Sequence, residues 1–275
     1  MNLNDYARHT AAQLARGAAG VIVVAAIALA VMPGQSRAQP TDADAVQRQV
    51  AKYTRQLQAA PDRVQLYIRR GHAYFLLHKF DRAVQDFTEA LRRDPHADEA
   101  YYGRGLALAR AGFVEDGIRD LSIYLKRHPK SSRGYTKRGV RYLWLGDRVN
   151  AKKDLTRAVE LDANNAEAHD DLGVIFAQKR EYRTAERNFR AAIRIDPTYQ
   201  KAYHNLAMVL YLTGRDLEAL TTVNSSLDLK PEARDSLLLK AEVLDSLGRH
   251  DEARAIRGDA QFLPEGNWSE HAPVQ

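Results

Sequence analysis

Residues 64–97 show two sets of positions at helical spacing, each on one face of a helix. The first face has positions i, i+3, i+4 and i+7, occupied by Tyr67, Arg70, Gly71 and Tyr74. The second face has positions i, i+4, i+7 and i+8, occupied by Ala83, Phe87, Ala90 and Leu91. Pro95 ends the second helix, because a proline inside a helix removes a hydrogen bond and clashes with the preceding turn. We therefore predict two amphipathic helices packed back to back.

The same pattern recurs at a period of 34 residues. Further copies occupy 98–131, 132–165, 166–199 and 200–233, and a partial sixth copy occupies 234–260. Just past the first helix, where a left-handed cap residue is needed, four copies have Gly112, Gly146, Gly214 and Gly248. Because one helix pair cannot bury its own apolar faces, the period predicts an array of stacked units.

The spacing within one copy carries a family resemblance. Its key residues are Tyr67, Gly71, Tyr74, Phe80, Ala83, Phe87, Ala90 and Pro95. This motif closely resembles the tetratricopeptide repeat, whose length is also about 34 residues. The resemblance covers 64 to about 260 and implies an all-α fold, a right-handed superhelical α–α solenoid. It also implies a concave surface, lined by the first helices, that binds a protein or peptide.

The N-terminal segment 1–38 predicts a cleaved secretory signal peptide. Basic residues precede an uncharged apolar run, and Ser36 and Ala38 stand at the small positions of a cleavage site. We predict cleavage after Ala38 and a periplasmic or secreted protein. The alternative is an uncleaved inner-membrane anchor over 17–33, but the apolar run is shorter than the roughly 18–20 residues of a spanning helix.

The segments that flank the repeats differ from them in pattern. Residues 39–63 predict an N-terminal capping helix, whose apolar face is Val46, Val50, Tyr53 and Leu57. The sixth copy is more polar in its second helix, as a terminal repeat requires. Residues 261–275 predict a C-terminal tail.

Composition narrows the functional class. Cysteine is absent, which excludes disulfides, a thiol nucleophile and a cysteine-based metal site. The formal net charge is +6, and removal of 1–38 leaves a mild positive charge that gives no reason to expect nucleic-acid binding. The histidines are scattered and no catalytic or nucleotide-binding motif is present. We therefore expect no enzyme activity, no metal and no cofactor.

The seventh position of the repeat predicts structural ion pairs. It is arginine in the first three copies, and the position sixteen residues later is aspartate in those same copies. Both are lost together in the fourth and fifth copies, which have Leu172 with Asn188 and Leu206 with Thr222. A buried arginine must be paired, so we predict the pairs Arg70–Asp86, Arg104–Asp120 and Arg138–Asp154. Pairing with the preceding repeat instead would leave the first arginine and the last aspartate alone.

The resemblance also places certain positions of each first helix on the concave surface. Carried onto this chain, they give the candidate partner-binding residues Arg69, His72, Tyr102, Arg133, Lys137, Trp144, Asp170, Asp171, His204 and Asn205. For each of them the simpler alternative is a solvated helix face.

Four of these candidates are predicted to form the main patch: Tyr102, Arg133, Lys137 and Trp144. Aromatic residues and arginine dominate interface energetics, and a basic pair beside two aromatics suits an acidic peptide or a free C-terminal carboxylate. An acidic step follows in the next repeat, at Glu167, Asp170 and Asp171, and would fix the direction of the ligand. The alternative is that Trp144 packs between neighbouring helices.

The sequence as a whole predicts a non-catalytic protein–protein interaction scaffold in the bacterial cell envelope. Its partner is a protein or peptide bound in the concave groove, with no nucleic acid, no metal, and a membrane contact only if the N-terminal segment stays uncleaved. One alternative is an inner-membrane-anchored assembly factor with the same groove. The other, an enzyme or enzyme-accessory subunit, lacks candidate residues.

Overall fold

The computed structural model describes residues 42–264, which form helices and turns without any strand. Thirteen helices follow one another: α1 (Asp42–Ala59), α2 (Val64–Leu76), α3 (Phe80–Arg93), α4 (Asp98–Arg110), α5 (Val114–Arg127), α6 (Ser132–Trp144), α7 (Arg148–Leu161), α8 (Ala166–Gln178), α9 (Tyr182–Ile195), α10 (Gln200–Leu212), α11 (Asp216–Leu229), α12 (Arg234–Ser246) and α13 (His250–Ala260). From α2 onward they form six pairs, and each pair coincides with one predicted repeat.

The pairs stack into an all-α solenoid. Each helix packs against the helix before it and the helix after it in the sequence. First helices of neighbouring repeats also approach one another closely, whereas the backbones of the second helices in residues 42–264 stay farther apart. The first helices α2, α4, α6, α8, α10 and α12 therefore line the inner side of the curve, and the second helices lie outside.

Small residues set the distance between helices at the crossings. A Cβ atom added to Gly117 of α5 would lie 2.5 Å from the carbonyl oxygen of Gly105 of α4. Phe87 is fully buried between two first helices. A Cβ added to Gly71 would lie 3.0 Å from its ring, and one added to Gly103 would lie 2.4 Å from it. The small positions of the repeat are thus fixed by how closely the backbones approach.

The turn inside each repeat contains a residue with a left-handed backbone. The glycine prediction is confirmed, with φ of 97°, 75°, 73° and 74° at Gly112, Gly146, Gly214 and Gly248. The first and fourth repeats adopt the same turn without glycine, at His78 (φ 55°) and Arg180 (φ 59°). A side chain in this conformation costs about 1–2 kcal/mol, so the surrounding helix packing imposes the turn.

The arginines at the seventh position lie against the aspartates of their own repeats. Nε and Nη2 of Arg70 donate to Oδ2 and Oδ1 of Asp86 at 2.8 and 2.7 Å. The same two-bond geometry, at 2.7–3.0 Å, joins Arg104 to Asp120 and Arg138 to Asp154. The aspartates are buried and the arginines are partly buried. The pairing therefore follows the register within a repeat.

A third contact, which the sequence analysis missed, connects each of these arginines to the preceding repeat. Nη1 donates to the hydroxyl sixteen residues earlier, at 3.1 Å to Thr54, 3.3 Å to Thr88 and 3.0 Å to Ser122. Each arginine thus bridges two successive second helices, with α1 acting as the first of them. The hydroxyl residues recur every 34 residues, and that recurrence was the available signal.

Helix α1 lies within the segment 39–63 and packs against α2. Val50 and Leu57 are buried, whereas Gln49 and Gln56 are exposed at the steps where most second helices of the repeats bury alanine. A polar outer face is what the end of a solenoid requires, because no further helix covers it.

At the other end, Arg257 of α13 stands where earlier second helices have a buried apolar residue, such as Phe87 or Phe189. Its Nη2 lies 2.6 Å from Oδ2 of Asp245 on α12.

The predicted signal peptide, 1–38, lies outside the described residues, as does most of the predicted tail. No helix within residues 42–264 combines the length and the apolar character needed to cross a membrane.

Candidate functional site

The candidate site lies on the inner side of the solenoid, where α6 is flanked by α4 and α8. Arg133, Lys137 and Trp144 are at i, i+4 and i+11 on α6 and so share one face. The side chain of Arg133 is 55% exposed, that of Lys137 is 25% exposed, and Trp144 is partly exposed. Three of the four predicted patch residues are therefore accessible on one helix face.

Two stacked contacts hold this face in place. The guanidinium carbon of Arg133 lies 4.2 Å from the centre of the Tyr102 ring of α4. The guanidinium carbon of Arg141 lies 4.6 Å from the centre of the Trp144 ring. A cation over an aromatic face is attracted to it. Arg141 is buried and lies one turn before Trp144. The sequence analysis did not include it among the groove residues.

Both predicted basic residues have carboxylate partners on neighbouring first helices. Nη2 of Arg133 donates to Glu99 of α4 at 3.2 and 3.4 Å. Nζ of Lys137 donates to Glu167 of α8 at 2.6 and 2.8 Å. The sequence analysis missed the role of Glu99, although it stands one full repeat before Arg133. A ligand carboxylate must therefore compete with these glutamates.

Tyr102 is not exposed on this face, in contrast to the other three residues of the predicted patch. Tyr102 is only 5% exposed and packs against Tyr124 of α5, with ring centres 5.1 Å apart. Burial raises the pKa of its hydroxyl, and the charges of Arg133 and Arg141 oppose that rise only in part. Tyr102 therefore supports Arg133 from below and is itself covered.

Four further residues that were predicted to face the groove, two in the fourth repeat and two in the fifth, are not exposed. Asp170 and Asp171 of α8 are 0% exposed, and His204 and Asn205 of α10 are buried as well. Nδ2 of Asn205 donates to Oδ1 of Asp170 at 3.0 Å. The neighbouring first helices approach closely enough to cover these positions, so a carboxylate there does not meet a ligand. Only Glu167 of the acidic step is accessible.

His204 belongs to a buried polar cluster between the fifth and sixth repeats. Its Nδ1 lies 3.1 Å from Oγ of Ser236, which is 3.0 Å from Oγ of Ser226. Nε2 of Gln200 donates to Ser226 at 2.6 Å. Burial lowers the pKa of His204 to about 4, so the ring is neutral near pH 7. These contacts fix how the two repeats stack.

The remaining candidates, Arg69 and His72, lie on α2. Arg69 is exposed and His72 is half-buried with its ring edge-on to Phe87, at 5.0 Å between centres. Burial lowers the pKa of His72, and the nearby charges of Glu99 and Arg133 act on it in opposite directions. His72 therefore borders the α6 face. Within residues 42–264, no group of three or more potential ligands is arranged to hold a metal ion.

This architecture, stacked helix pairs with an accessible inner face, defines a helical-repeat scaffold for protein–protein interaction. The family profile of the tetratricopeptide repeat matches residues 68–132, 136–199 and 171–233, which is more than half of the chain. The chain therefore belongs to the tetratricopeptide repeat family. No curated protein sequence matches it.

Solved structures share the fold at low sequence identity. PilF of Pseudomonas aeruginosa has a TM-score of 0.65 and 17% identity, over 75% of this chain and 94% of PilF. YrrB, described as a TPR protein with an unusual peptide-binding site, has a TM-score of 0.50 and 22% identity, over 68% of this chain and 97% of YrrB. A chain of the APC/C hetero-tetramer Cut9–Hcn1 has a TM-score of 0.69 and 17% identity, over 78% of this chain. The match spans only 44% of that Cut9–Hcn1 chain.

Proposed function

We propose that this protein is a non-catalytic scaffold that binds a protein or peptide partner on the inner face of α4, α6 and α8. Arg133 and Trp144 are the principal contacts. The observation that carries the proposal is that both side chains are accessible on one helix face and that each is already stacked in place. Ordering a long side chain on binding costs about 0.5–1.5 kcal/mol, and stacking in the free protein reduces that cost.

The exposed ion pair on this face sets the chemistry of the ligand. Arg133 and Glu99 are both 55% exposed, and such a pair contributes only about 0–1 kcal/mol. A carboxylate of the partner can therefore replace Glu99 at little cost. Lys137 and Glu167 are less exposed and remain paired, which keeps α6 and α8 in register. The partner is an extended segment with a carboxylate at Arg133 and an apolar group at Trp144.

The setting we propose is the bacterial cell envelope, after export and cleavage behind Ala38. Support comes from the order of basic, apolar and small residues in 1–38. N-terminal sequencing of the mature protein tests this, with a start at Gln39 as the expected result. A protein that still begins at Met1 and resists carbonate extraction contradicts cleavage and favours the anchored alternative.

The groove is tested by truncating its aromatic contact. A photo-crosslinking residue at position 144 captures the partner from the envelope fraction, and mass spectrometry names it. Titration of that partner then compares Trp144→Ala with Phe113→Ala, which truncates an aromatic residue that is 56% exposed in the turn before α5. We expect Trp144→Ala to weaken binding by about 2 kcal/mol, or ~30-fold, and Phe113→Ala to leave it unchanged.

The sign of the charge is tested in the same titration. Arg133→Glu should weaken binding further, and added salt should reproduce part of that loss for the wild type. The proposal fails if Trp144→Ala lowers the free energy of unfolding while binding stays intact, because Trp144 would then only pack between helices.

A further inference from the structure

The outer side of the third repeat holds a recess that the inner-face proposal does not use. Its volume is about 790 Å³, within the usual range of ligand sites. Most of its wall comes from α7, with Tyr135 and Arg138 of α6 on one side and Lys179, just after α8, on the other. Val149, which is 81% exposed, gives it an apolar wall.

The charge in this recess is unbalanced. Six cationic side chains line it, against two carboxylates, Asp154 and Glu160. Both carboxylates are already engaged, the first by Arg138 in the ladder and the second by Arg157 at 2.9 Å. The four other cations are Arg148, Lys152, Lys153 and Lys179.

None of these four cations has a carboxylate within ion-pair distance among residues 42–264. Nε of Arg148 donates to the neutral amide of Gln178 at 2.9 Å. Nζ of Lys152 lies 4.8 Å from the centre of the Phe176 ring. Lys153 and Lys179 are exposed. The recess therefore has uncompensated positive charge along α7 and at Lys179.

The next two second helices toward the C-terminus show where the positive surface ends. The outer face of α9 continues the positive surface with the exposed Arg183, Arg187 and Arg194, whereas Arg190 is paired with Glu186. In contrast, α11 has no lysine or arginine and carries Asp216, Glu218 and Asp228. An anionic ligand is thus attracted to the third and fourth repeats and repelled from the fifth.

We propose that the recess over α7 is a second docking site, which binds an acidic segment of a partner polypeptide. A recess accommodates a chain, whereas a bilayer surface contacts protruding side chains. The wall formed by Val149 and Tyr135 suits an apolar side chain between carboxylates. Single-stranded nucleic acid needs open aromatic faces for base stacking, and the guanidinium carbon of Arg138 lies over the ring of Tyr135 in the recess wall, 5.7 Å from its centre. This site goes beyond the inner-face proposal and does not depend on it.

The probe is a short fluorescein-labelled peptide in which glutamate and leucine alternate, titrated by fluorescence anisotropy. We expect binding that weakens with salt and falls by about tenfold in Lys153→Glu/Lys179→Glu. The matched control, Lys126→Glu/Lys130→Glu, reverses two exposed lysines one repeat earlier and should change the affinity by less than about twofold. Circular dichroism establishes that both variants remain folded. Trp144→Ala should bind the probe as the wild type does, which separates this site from the inner face.

Three outcomes overturn the proposal. The first is no binding of the acidic peptide. The second is an equal loss of affinity in the two lysine variants. The third is tighter binding of phosphatidylglycerol vesicles or of single-stranded DNA than of the peptide, with loss in Lys153→Glu/Lys179→Glu, which would assign the surface to a membrane or to a nucleic acid.

Discussion

In the first three repeats an arginine lies between successive second helices, whereas in the fourth and fifth repeats leucine occupies the same position. All three guanidinium nitrogens of each arginine donate a hydrogen bond. Two of these bonds go to aspartate and one goes to a hydroxyl. Leu172 and Leu206 are buried at the equivalent step and need no partner. One backbone geometry therefore accepts either a complete polar network or an apolar residue.

The two regions should differ in how they respond to mutation more than in how stable they are. A buried ion pair roughly breaks even against apolar packing while it is intact, but loss of one partner leaves an uncompensated charge. The fourth and fifth repeats instead place most of their buried polar groups on the first helices, around Asp170, Asn205 and His204. The first three repeats are therefore most sensitive to mutation at the ion pairs, and the fourth and fifth repeats at these buried polar groups.

The largest expected effect comes from breaking one ion pair. Asp120→Ala leaves Arg104 half-buried without its carboxylate and should lower the free energy of unfolding by about 3 kcal/mol. The matched control is Thr222→Ala, at the equivalent position of the fifth repeat, which should cost less than about 0.5 kcal/mol. Urea unfolding of both variants measures the difference, and equal losses would contradict the comparison.

The next test transplants the network into the fourth repeat. Leu172→Arg alone buries an unpaired charge and should cost about 3 kcal/mol. Thr156 already supplies the hydroxyl at the required step, so adding Asn188→Asp should complete the network. We expect a coupling energy of about 2 kcal/mol in a double-mutant cycle of urea unfolding. A double variant no more stable than Leu172→Arg alone would show that the local backbone does not accept the pair.

Acid should weaken the C-terminal half through His204. Its pKa is about 4 in the folded protein and ordinarily about 6.5, so the unfolded chain binds more protons between these values. Stability is therefore complete above about pH 6.5 and falls as the pH decreases toward 4. Between pH 7 and pH 5 this one group should remove about 2 kcal/mol. Thermal unfolding of His204→Asn, compared with the wild type, should lack that component; an unchanged pH dependence would rule His204 out.

The smallest expected effect concerns the turns of the third and fourth repeats. Arg180 adopts a left-handed backbone where Gly146 stands one repeat earlier. Arg180→Gly removes that steric cost but adds chain entropy to the unfolded state, so we expect a gain of about 0.5–1 kcal/mol. Gly146→Ala should lose about 1 kcal/mol. Differential scanning calorimetry measures both; destabilisation by Arg180→Gly would mean that the arginine side chain contributes a contact of its own.

Much of the fold follows from spacing alone. The helix pairs follow the period of 34 that the sequence shows. The small residues mark where helices cross closely, and the glycines mark the turns between them. The pairing of Arg70 with Asp86 was also readable, because the two residue types appear and disappear together. The hydroxyls at Thr54 and Thr88 were equally periodic, but a hydroxyl carries no charge whose burial demands a partner.

The candidate site was predictable only in part. The sequence placed Arg133, Lys137 and Trp144 on one helix face, because positions along a single helix follow from its period. Whether a side chain on that helix is covered depends on the neighbouring first helices, which no local pattern reports. Asp170 and Asp171 illustrate this, since two adjacent carboxylates suggest a solvated surface and yet both are buried.

The sequence by itself determined the repeat, its helix pairs, the four glycine turns and the three ion pairs, because each is a short-range consequence of spacing or of charge that must be paired. Only the tertiary structure decided which inner-face residues reach solvent, that Glu99 and Glu167 occupy the basic pair, and that cations converge on a recess over α7. These features depend on the distance and angle between stacked repeats, and small rotations accumulated over several helix pairs set both.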